Sequence, residues 1–237
     1  MNPETPILLG LAAAATLAAA GCSTSVARLD GPDHRQRLNA PVPIAVTLKA
    51  KADPTTFTAS IDGRDVTDAF VFEDGRGVLT GHVYEAAPPR QPHTLTVAAE
   101  PGVNAKGRPL GRPFTAEMTY FPPALSLQGN VGMGPNSRVE LPRDGRTSVM
   151  VRLPQPTRGP LALTVTPTDA SGVVLNDHAP GQAITIDLDP GRRVAVFTVR
   201  GHRPGVGTLR VEAPGYVAAE VQTFIDGPTL TAAVATP

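Results

Sequence analysis

The sequence predicts an all-β protein with two β-sandwich domains, which follow an apolar segment at the N-terminus. Valine and threonine recur in short runs that alternate apolar and polar residues, as strands with one buried face do. Turn residues separate these runs, and the chain of 237 residues contains 23 glycines and 26 prolines. No long run of helix-forming residues follows residue 22, and the length suits two domains of roughly 100 residues each.

The composition argues against nucleic acid as a partner and disfavours a carbohydrate-binding module. Lysine plus arginine equals aspartate plus glutamate, at 21 each, so no global field draws in a polyanion. The chain has no tryptophan and three tyrosines, whereas sugar-binding sites use flat aromatic platforms. Most cations are arginine, and the lysines are Lys49, Lys51 and Lys106. This imbalance favours a codon bias over a binding patch.

The first feature along the sequence is an apolar run from Ile7 to Ala20, which carries no charge. It is shorter than the stretch of about 20 residues that spans a bilayer, and it is typical of a signal-peptide core. The run ends in Ala19-Ala20-Gly21-Cys22, which resembles the lipobox of bacterial lipoproteins. The resemblance implies that residues 1–21 are cleaved as a signal peptide and that Cys22 carries the lipid. A plain signal peptide cut elsewhere and an uncleaved apolar anchor remain as alternatives.

The residues around Cys22 indicate where such a lipoprotein would reside. Cys22 is the only cysteine of the chain, so it has no partner for an internal disulfide. Ser23 and Thr24 follow it, and the resemblance implies the outer membrane because no aspartate stands there. Which face of the membrane the protein occupies stays open. Residues 22–39 are polar without a period and predict a flexible tether, and residues 229–237 predict a disordered tail.

Domain 1 is predicted over residues 40–122. Its predicted strands lie at residues 42–50, 57–61, 77–84, 93–99 and 114–121. The Asp62-Gly63 pair predicts a hairpin turn, and residues 65–70 predict one helical turn or a tight bend. The succession DGRDVTDAF, GVLTGHV and PHTLTV resembles an immunoglobulin-like module of bacterial secreted proteins. The resemblance implies a β-sandwich over residues 41–121.

Domain 2 is predicted over residues 123–228, beyond a stiff joint at Pro122-Pro123. Its predicted strands contain the alternating sets Val149/Val151/Leu153, Leu161/Leu163/Val165, Ala195/Phe197/Val199, Leu209/Val211/Ala213 and Val217/Ala219/Val221, together with the run 183–188. A turn at residues 189–191 precedes AVFTV, and LRVEAPGY follows it. This pattern resembles the bacterial immunoglobulin-like repeats of adhesins and envelope proteins, which again implies a sandwich.

The sequence contains no motif of an established catalytic or metal site. HExxH, GxSxG, Walker and CxxC patterns are absent, so no catalytic residue, cofactor or metal is expected. The five histidines are far apart in sequence, which favours exposed loop or strand-edge positions. Two acidic groups, Asp62/Asp65/Asp68 and Asp187/Asp189, could contribute oxygen ligands to calcium. Aspartate is also the ordinary residue of turns, and we favour that interpretation.

Three functions fit these observations. The first is a non-catalytic, lipid-anchored module of the cell envelope that binds a protein partner or spaces it from the membrane. The second is a surface adhesin or ligand-binding protein. The third is an accessory subunit of a separately encoded secreted hydrolase. Under each of them Cys22 is the one residue with an assigned chemical role, as the site of lipid attachment.

Overall fold

The computed structural model describes residues 25–85, 91–168 and 172–226. Over these residues the regular structure consists of strands and three single 3₁₀ turns, so the protein is all-β as predicted. No helix in these ranges is long and apolar enough to cross a bilayer. The predicted signal peptide, Cys22 and the predicted tail at 229–237 lie outside the described residues. The strands are β1 Ala27–Asp30, β2 Ala45–Leu48, β3 Thr58–Ile61, β4 Arg64–Asp65, β5 Phe70–Glu73, β6 Arg76–Leu79, β7 His93–Ala99, β8 Phe114–Tyr120, β9 Ser126–Gln128, β10 Arg138–Pro142, β11 Arg146–Arg152, β12 Leu161–Pro167, β13 Val173–Leu175, β14 Ile184–Leu188, β15 Val194–Gly201, β16 Gly205–Glu212 and β17 Ala219–Asp226.

Domain 1, residues 25–121, is a sandwich of two antiparallel sheets. One sheet has the strand order β1-β2-β6-β5 and the other has β4-β3-β7-β8. When the strands are lettered A to G, with β4 as an addition to strand C, these orders are A-B-E-D and C-F-G. That is the arrangement of an immunoglobulin-like sandwich. The core lies between the sheets and includes Val46, Leu95, Val97 and Tyr120, each at most 1 % exposed.

Strand β1 contradicts the predicted flexible tether over residues 22–39. Ala27 to Asp30 pair with Ala45 to Leu48, and Val26 and Ala27 are buried. Farther along, Arg37 forms a parallel bridge with Phe121 at the far edge of the other sheet. The segment therefore supplies the first strand of domain 1. The sequence pattern missed it because the strand is four residues long and its exposed positions, such as Arg28, are charged.

Domain 2, residues 124–226, repeats the plan with two added strands. Its sheets have the orders β9-β11-β15-β13 and β10-β17-β16-β12-β14. Strand β10 runs parallel to β17, with Val139 opposite Thr223, and the remaining pairs are antiparallel. Lettering gives A-B-E-D on one sheet and C-F-G on the other, which is again immunoglobulin-like. The additions are β10, which pairs with strand G, and β14, which lies between β13 and β15 in the chain but pairs with β12.

The predicted inward faces are largely confirmed. Val149, Val151 and Leu153 are fully buried, as are Leu163, Val165, Leu209 and Val211, whereas Leu161 and Ala219 are partly exposed at the margin. Each buried side chain of this size contributes roughly 1.5–3 kcal/mol by leaving water. The alternating sets of β11, β12 and β16 therefore supply a large part of the core of domain 2.

The turns of domain 1 also follow the sequence, with one exception. Asp62 and Gly63 both have positive φ, at 52° and 78°, as a two-residue hairpin requires, and Thr67–Ala69 form the predicted helical turn as a 3₁₀ turn. The strand predicted over 77–84 instead ends at Leu79. The backbone after it turns away from the sheet, because His82 and Tyr84 bond to domain 2.

Candidate binding cavity at the domain junction

Two segments of backbone join the domains by direct hydrogen bonds. The Gly215 N–H donates to the His82 carbonyl at 2.7 Å, the Tyr84 N–H donates to Tyr216 at 3.3 Å, and the Ala218 N–H donates to Tyr84 at 3.2 Å. Tyr84 and Val217 are thereby paired in parallel. The predicted double-proline joint is thus reinforced by residues 82–84, which lie well before Pro122-Pro123 in the chain.

The domain 2 side of the junction is held by its own chain as well. The Val217 N–H donates to the Pro123 carbonyl at 2.8 Å, and the Leu125 N–H donates to the Val217 carbonyl at 3.0 Å. The segment 215–218 therefore lies between residues 82–84 of domain 1 and residues 123–125. Backbone bonds on both sides make a hinge motion at this point costly, since each broken bond would have to be replaced.

Gly215 is required by this arrangement for two reasons. Its φ is +79°, a conformation that side chains disfavour, and a Cβ atom added to it would lie 2.8 Å from Cβ of Pro41. Pro214, Gly215 and Tyr216 form a turn before β17, and this turn packs against domain 1.

A cavity of about 280 Å³ opens at this junction. Its walls are mostly proline and aliphatic side chains from both domains, with three polar groups among them. The aliphatic and proline residues include Leu38, Pro41, Val42, Ile44, Leu79, Pro122, Pro123 and Pro214, and the polar groups belong to His82, Tyr84 and Tyr120. An apolar concavity with few polar groups suits an apolar side chain or a small molecule.

The two tyrosines of the cavity share a hydrogen bond between their hydroxyl groups, and both are buried. Burial raises the pKa of Tyr84 to about 12, because the phenolate would lose its hydration. Burial likewise raises the pKa of Tyr120, and the neighbouring Tyr84 adds to that effect. Both hydroxyls are therefore neutral at physiological pH and act as a fixed polar pair.

A histidine and an aspartate lie directly behind Tyr84. Nδ1 of His93 is 2.5 Å from Oδ2 of Asp62, and the His93 ring centroid is 4.8 Å from that of Tyr84. The His93 residue is 6 % exposed, which corrects the expectation of an exposed histidine. His93 is the first residue of β7, and the side chains of this strand alternate between the core and the surface. The histidine falls on the same buried face as Leu95 and Val97, which the wide spacing of the histidines in the sequence did not indicate.

His82 completes the aromatic group at the cavity. Its ring lies edge-on to Tyr84, with centroids 4.6 Å apart. Burial lowers the pKa of His82 from its usual value, and the nearby His93 lowers it further. His82 is therefore held toward its neutral form, in which it can both donate and accept a hydrogen bond.

The Asp62–His93 pair resembles the aspartate and histidine of a catalytic triad, but no nucleophile is hydrogen-bonded to it within the described residues. Nε2 of His93 is buried and has no hydrogen-bond partner among the described residues. In a hydrolase triad that nitrogen would take the proton of a serine or cysteine. The pair instead joins the β3–β4 turn to β7, since Asp62 also accepts the Thr94 N–H at 2.8 Å.

A charged group spans the same junction at the surface. Glu85 pairs with Arg64 of domain 1, and its other oxygen lies 3.7 Å from Nη2 of Arg210 in domain 2. Arg210 also donates to Glu212 at 2.8 Å and to Glu220 at 3.0 Å. The hydrogen bond and the charge of Arg64 lower the pKa of Glu85, and Arg210 adds to this effect. The network fixes the rim of the junction with groups of alternating charge.

The aspartates considered for calcium lie at two places in the fold. Asp62, Asp65 and Asp68 lie on the β3–β4 hairpin and the 3₁₀ turn after it, and Asp187 and Asp189 lie on and just after β14. Asp62 accepts bonds from His93 and Thr94, whereas Asp65 accepts the Thr67 N–H at 2.8 Å. The Asp189 carbonyl accepts the Thr157 hydroxyl, and Asp187 is exposed on β14. Within the described ranges no group of three or more His, Cys, Asp or Glu side chains could hold a metal ion. The bonds of Asp62 and Asp65 are those of turn aspartates.

A second concave region lies on the exposed face of domain 2. It is an open groove of about 940 Å³ across β10, β17 and β16. Its lining is mainly polar and includes Arg138, Glu140, Thr208, Glu220 and Gln222. The smaller junction cavity is the better candidate for a specific ligand, because it is apolar and formed by two domains.

Comparison with known proteins gives weak structural similarities. No family model and no curated protein sequence matches the chain. The native conformation of E. coli alpha-2-macroglobulin aligns over 85 % of this chain at 12 % identity and a TM-score of 0.31, and the chain spans 17 % of that protein. The C-terminal domain of the Streptococcus agalactiae AgI/II polypeptide BspA aligns over 81 % of this chain and 95 % of its own, at 10 % identity and a TM-score of 0.26. CBD12 from CALX1.2 aligns over 76 % and 78 %, at 12 % identity and a TM-score of 0.27. The immunoglobulin-like assignment rests on the strand order of the chain itself.

Proposed function

We propose that this protein is a lipid-anchored, non-catalytic module of the bacterial cell envelope, in which two immunoglobulin-like domains form a stiff spacer with a binding cavity at their junction. The observation that carries the proposal is the hydrogen-bonded junction itself. Residues 82–84 and 215–218 join the domains by three backbone bonds. A tether between independent domains needs none of these.

The anchor in this proposal is the lipid on Cys22, with the outer membrane as its place. Support comes from the sequence: an apolar run of signal-peptide length ends in small residues directly before the sole cysteine. Cys22→Ala should abolish incorporation of labelled palmitate and release the protein from the membrane fraction. Unchanged labelling in that variant would refute the anchor.

The non-catalytic part of the proposal is supported by the state of the polar groups at the cavity. Tyr84 and Tyr120 bond to each other, and the Nδ1 of His93 is engaged by Asp62. A general base needs a proton within reach of its free nitrogen, but the Nε2 of His93 is enclosed without a partner in the described chain. Turnover of any ester, amide or glycoside in a broad hydrolase screen would contradict this part.

The binding role is assigned to the junction cavity, and the expected partner is a protein that inserts an apolar side chain. Val42 lies on its wall and is 40 % exposed, so Val42→Glu should place a charge there without disturbing the core. Val71→Glu is the matched control, because Val71 is 57 % exposed on β5 and does not line the cavity.

The test is cross-linking in intact cells followed by recovery of the tagged full-length protein. A partner recovered with the parent chain and with Val71→Glu, but lost with Val42→Glu, supports binding at the junction. Equal recovery with both variants would exclude the cavity. Cleavage of the protein by protease added to intact cells would favour the adhesin alternative, since a protein facing the periplasm is shielded.

A further inference from the structure

The three lysines of the chain, which are far apart in sequence, come together at one end of domain 1. Lys49 and Lys51 lie on the loop after β2, and Lys106 lies on the loop between β7 and β8. The two loops are bonded to each other, since the Gly102 N–H donates to the Lys51 carbonyl at 2.9 Å and Ala52 bridges Pro101. We call residues 49–51 and 101–113 together the basic end.

The basic end carries cations without acidic residues of its own. Its charged side chains belong to Lys49, Lys51, Lys106, Arg108 and Arg112. All five residues are exposed, and none forms an ion pair within the described part of the chain. The flanking residues add Arg76 and four acids, namely Asp53, Glu73, Asp74 and Glu100, so cations outnumber acids by six to four in this region. The local charge is positive although the whole chain is neutral.

Two large apolar side chains protrude among these cations. Val103 is 63 % exposed and Leu110 is 40 % exposed, which places both among the exposed large hydrophobic residues of the described chain. The loop that presents them is ordered by its own bonds: Val103 bridges Pro109, and Oδ1 of Asn104 accepts the N–H groups of Lys106 and Arg108 at 2.9 and 3.0 Å. Apolar tips surrounded by lysine and arginine suit the headgroup region of an anionic membrane.

The segment that leads back to Cys22, the proposed site of lipid attachment, leaves domain 1 at the basic end. Ser25 forms a parallel bridge with Arg112, and the Lys49 N–H donates to the Val26 carbonyl at 2.8 Å. Between Cys22 and Ser25 stand two residues, Ser23 and Thr24. Three residue steps span at most about 10 Å when fully extended. A lipid on Cys22 therefore brings the basic end to the membrane surface.

We propose that the basic end of domain 1 rests on the membrane that holds the lipid of Cys22, with its cations on anionic headgroups and Val103 and Leu110 at the acyl boundary. This rests on the lipid attachment proposed above. The partner is the lipid surface and not a protein, because the cations and apolar tips surround the point where the anchored chain enters the domain. The opposite end of domain 1 continues through Tyr120 into the junction, so domain 2 and the cavity are directed away from the bilayer.

The test uses the full-length lipidated protein, purified from membranes and reconstituted into vesicles. Val103→Cys introduces a thiol for an environment-sensitive fluorophore, and Cys22 does not compete for the label once its sulfur carries lipid. Val206→Cys is the matched control, because Val206 is 66 % exposed at the end of domain 2 that is remote from the junction. Two kinds of vesicle are compared. One contains the anionic lipid phosphatidylglycerol, the other contains only the zwitterionic lipid phosphatidylcholine, and both carry a quencher attached to a lipid.

We expect quenching at position 103 in phosphatidylglycerol vesicles and none at position 206. Replacing Lys49, Lys51 and Lys106 by Gln, or using phosphatidylcholine, should remove most of the quenching at 103 while the protein stays with the vesicles. Normal palmitate labelling with an unquenched probe at 103, or equal quenching at both positions, would overturn the membrane contact and leave the anchor intact. Absent palmitate labelling would overturn the anchor and the contact with it.

Discussion

Gly215 of domain 2 and Pro41 of domain 1 approach so closely that a Cβ atom on the glycine would lie 2.8 Å from Cβ of the proline. Gly215→Ala should therefore lower the free energy of unfolding by about 2–3 kcal/mol, through the positive φ and the contact together. Gly191→Ala is the control, since Gly191 has a φ of +82° but open space around it. It should cost about 1 kcal/mol. If chemical denaturation gave the same loss of unfolding free energy for both variants, Pro41 would have to move aside to accommodate the new Cβ atom at no cost.

The hydroxyl pair of Tyr84 and Tyr120 should behave as a unit. Tyr84→Phe and Tyr120→Phe each leave one buried hydroxyl unpaired and should each cost about 1–2 kcal/mol. The double variant removes both hydroxyls and should cost clearly less than the sum of the two single losses. Denaturation of the four proteins gives the coupling energy, and strict additivity would argue against the bond.

The tyrosines should resist ionisation in the folded protein. All three tyrosines of the chain are buried, and burial raises the pKa of each, for Tyr84 to about 12. A raised pKa favours the neutral phenol in the fold, so this stabilisation is present below pH 10 and is lost as the pH rises through the folded pKa. Absorbance at 295 nm should show tyrosinate above pH 10 in urea but not in the native protein. A native titration near 10 would contradict the burial.

Asp62 should matter more than its exposure suggests. Asp62→Ala removes the bonds to His93 and to the Thr94 N–H and places alanine at positive φ. Asp144→Ala is the control, because Asp144 has a φ of 61° and a side chain that is 70 % exposed. Asp62→Ala should cost about 1–2 kcal/mol more than Asp144→Ala, because the bonds of a buried histidine are lost. A smaller loss than in the control would show that the His93 bond contributes nothing.

The first strand of domain 1 provides a direct test of the corrected boundary. Ala27→Asp buries a charge on β1 and should cost about 3 kcal/mol or more, whereas Arg28→Asp should stay within about 1 kcal/mol because Arg28 points to solvent. Tyrosine fluorescence during denaturation reports on domain 1 and the junction through Tyr84 and Tyr120, and on domain 2 through Tyr216. Similar stability of the two variants would restore the flexible tether for this segment.

The sequence was a good guide wherever alternation or turn chemistry was local. The buried set Val149, Val151 and Leu153 and the positive-φ pair Asp62-Gly63 were predicted because period and turn type are properties of neighbouring residues. The pairing of Tyr84 with Val217 could not be predicted in this way, since the two residues are far apart in sequence and belong to different domains. The Asp62–His93 pair had a signal, because His93 stands in phase with Leu95 and Val97, but histidine is ordinarily placed at the surface.

The lipid-binding prediction for Cys22 stays a prediction, as do the outer membrane and the protein partner. The calcium hypothesis loses its basis at Asp62 and Asp65, whose carboxylates already accept backbone and side-chain donors. The basic end shows the limit of a net charge taken over the whole chain. Equal numbers of cations and anions exclude a global field, but they are compatible with a local excess of cations at one end of a domain.

The position of β17 has a consequence for the order in which the chain acquires its structure as it is synthesised. This last strand of the described residues lies inside its sheet, between β10 and β16, so domain 2 cannot close until the residues up to Asp226 are available. The backbone of Tyr84 waits almost as long, because its partners Tyr216 and Ala218 come just before β17 in the chain. Pairings of such high sequence separation form slowly, and exposed edges meanwhile invite aggregation. The end of domain 2 thus controls when the junction with domain 1 can form. A chain truncated before Tyr216 should lack both this junction and the closed sheet of domain 2, although domain 1 retains all the strands of its own two sheets.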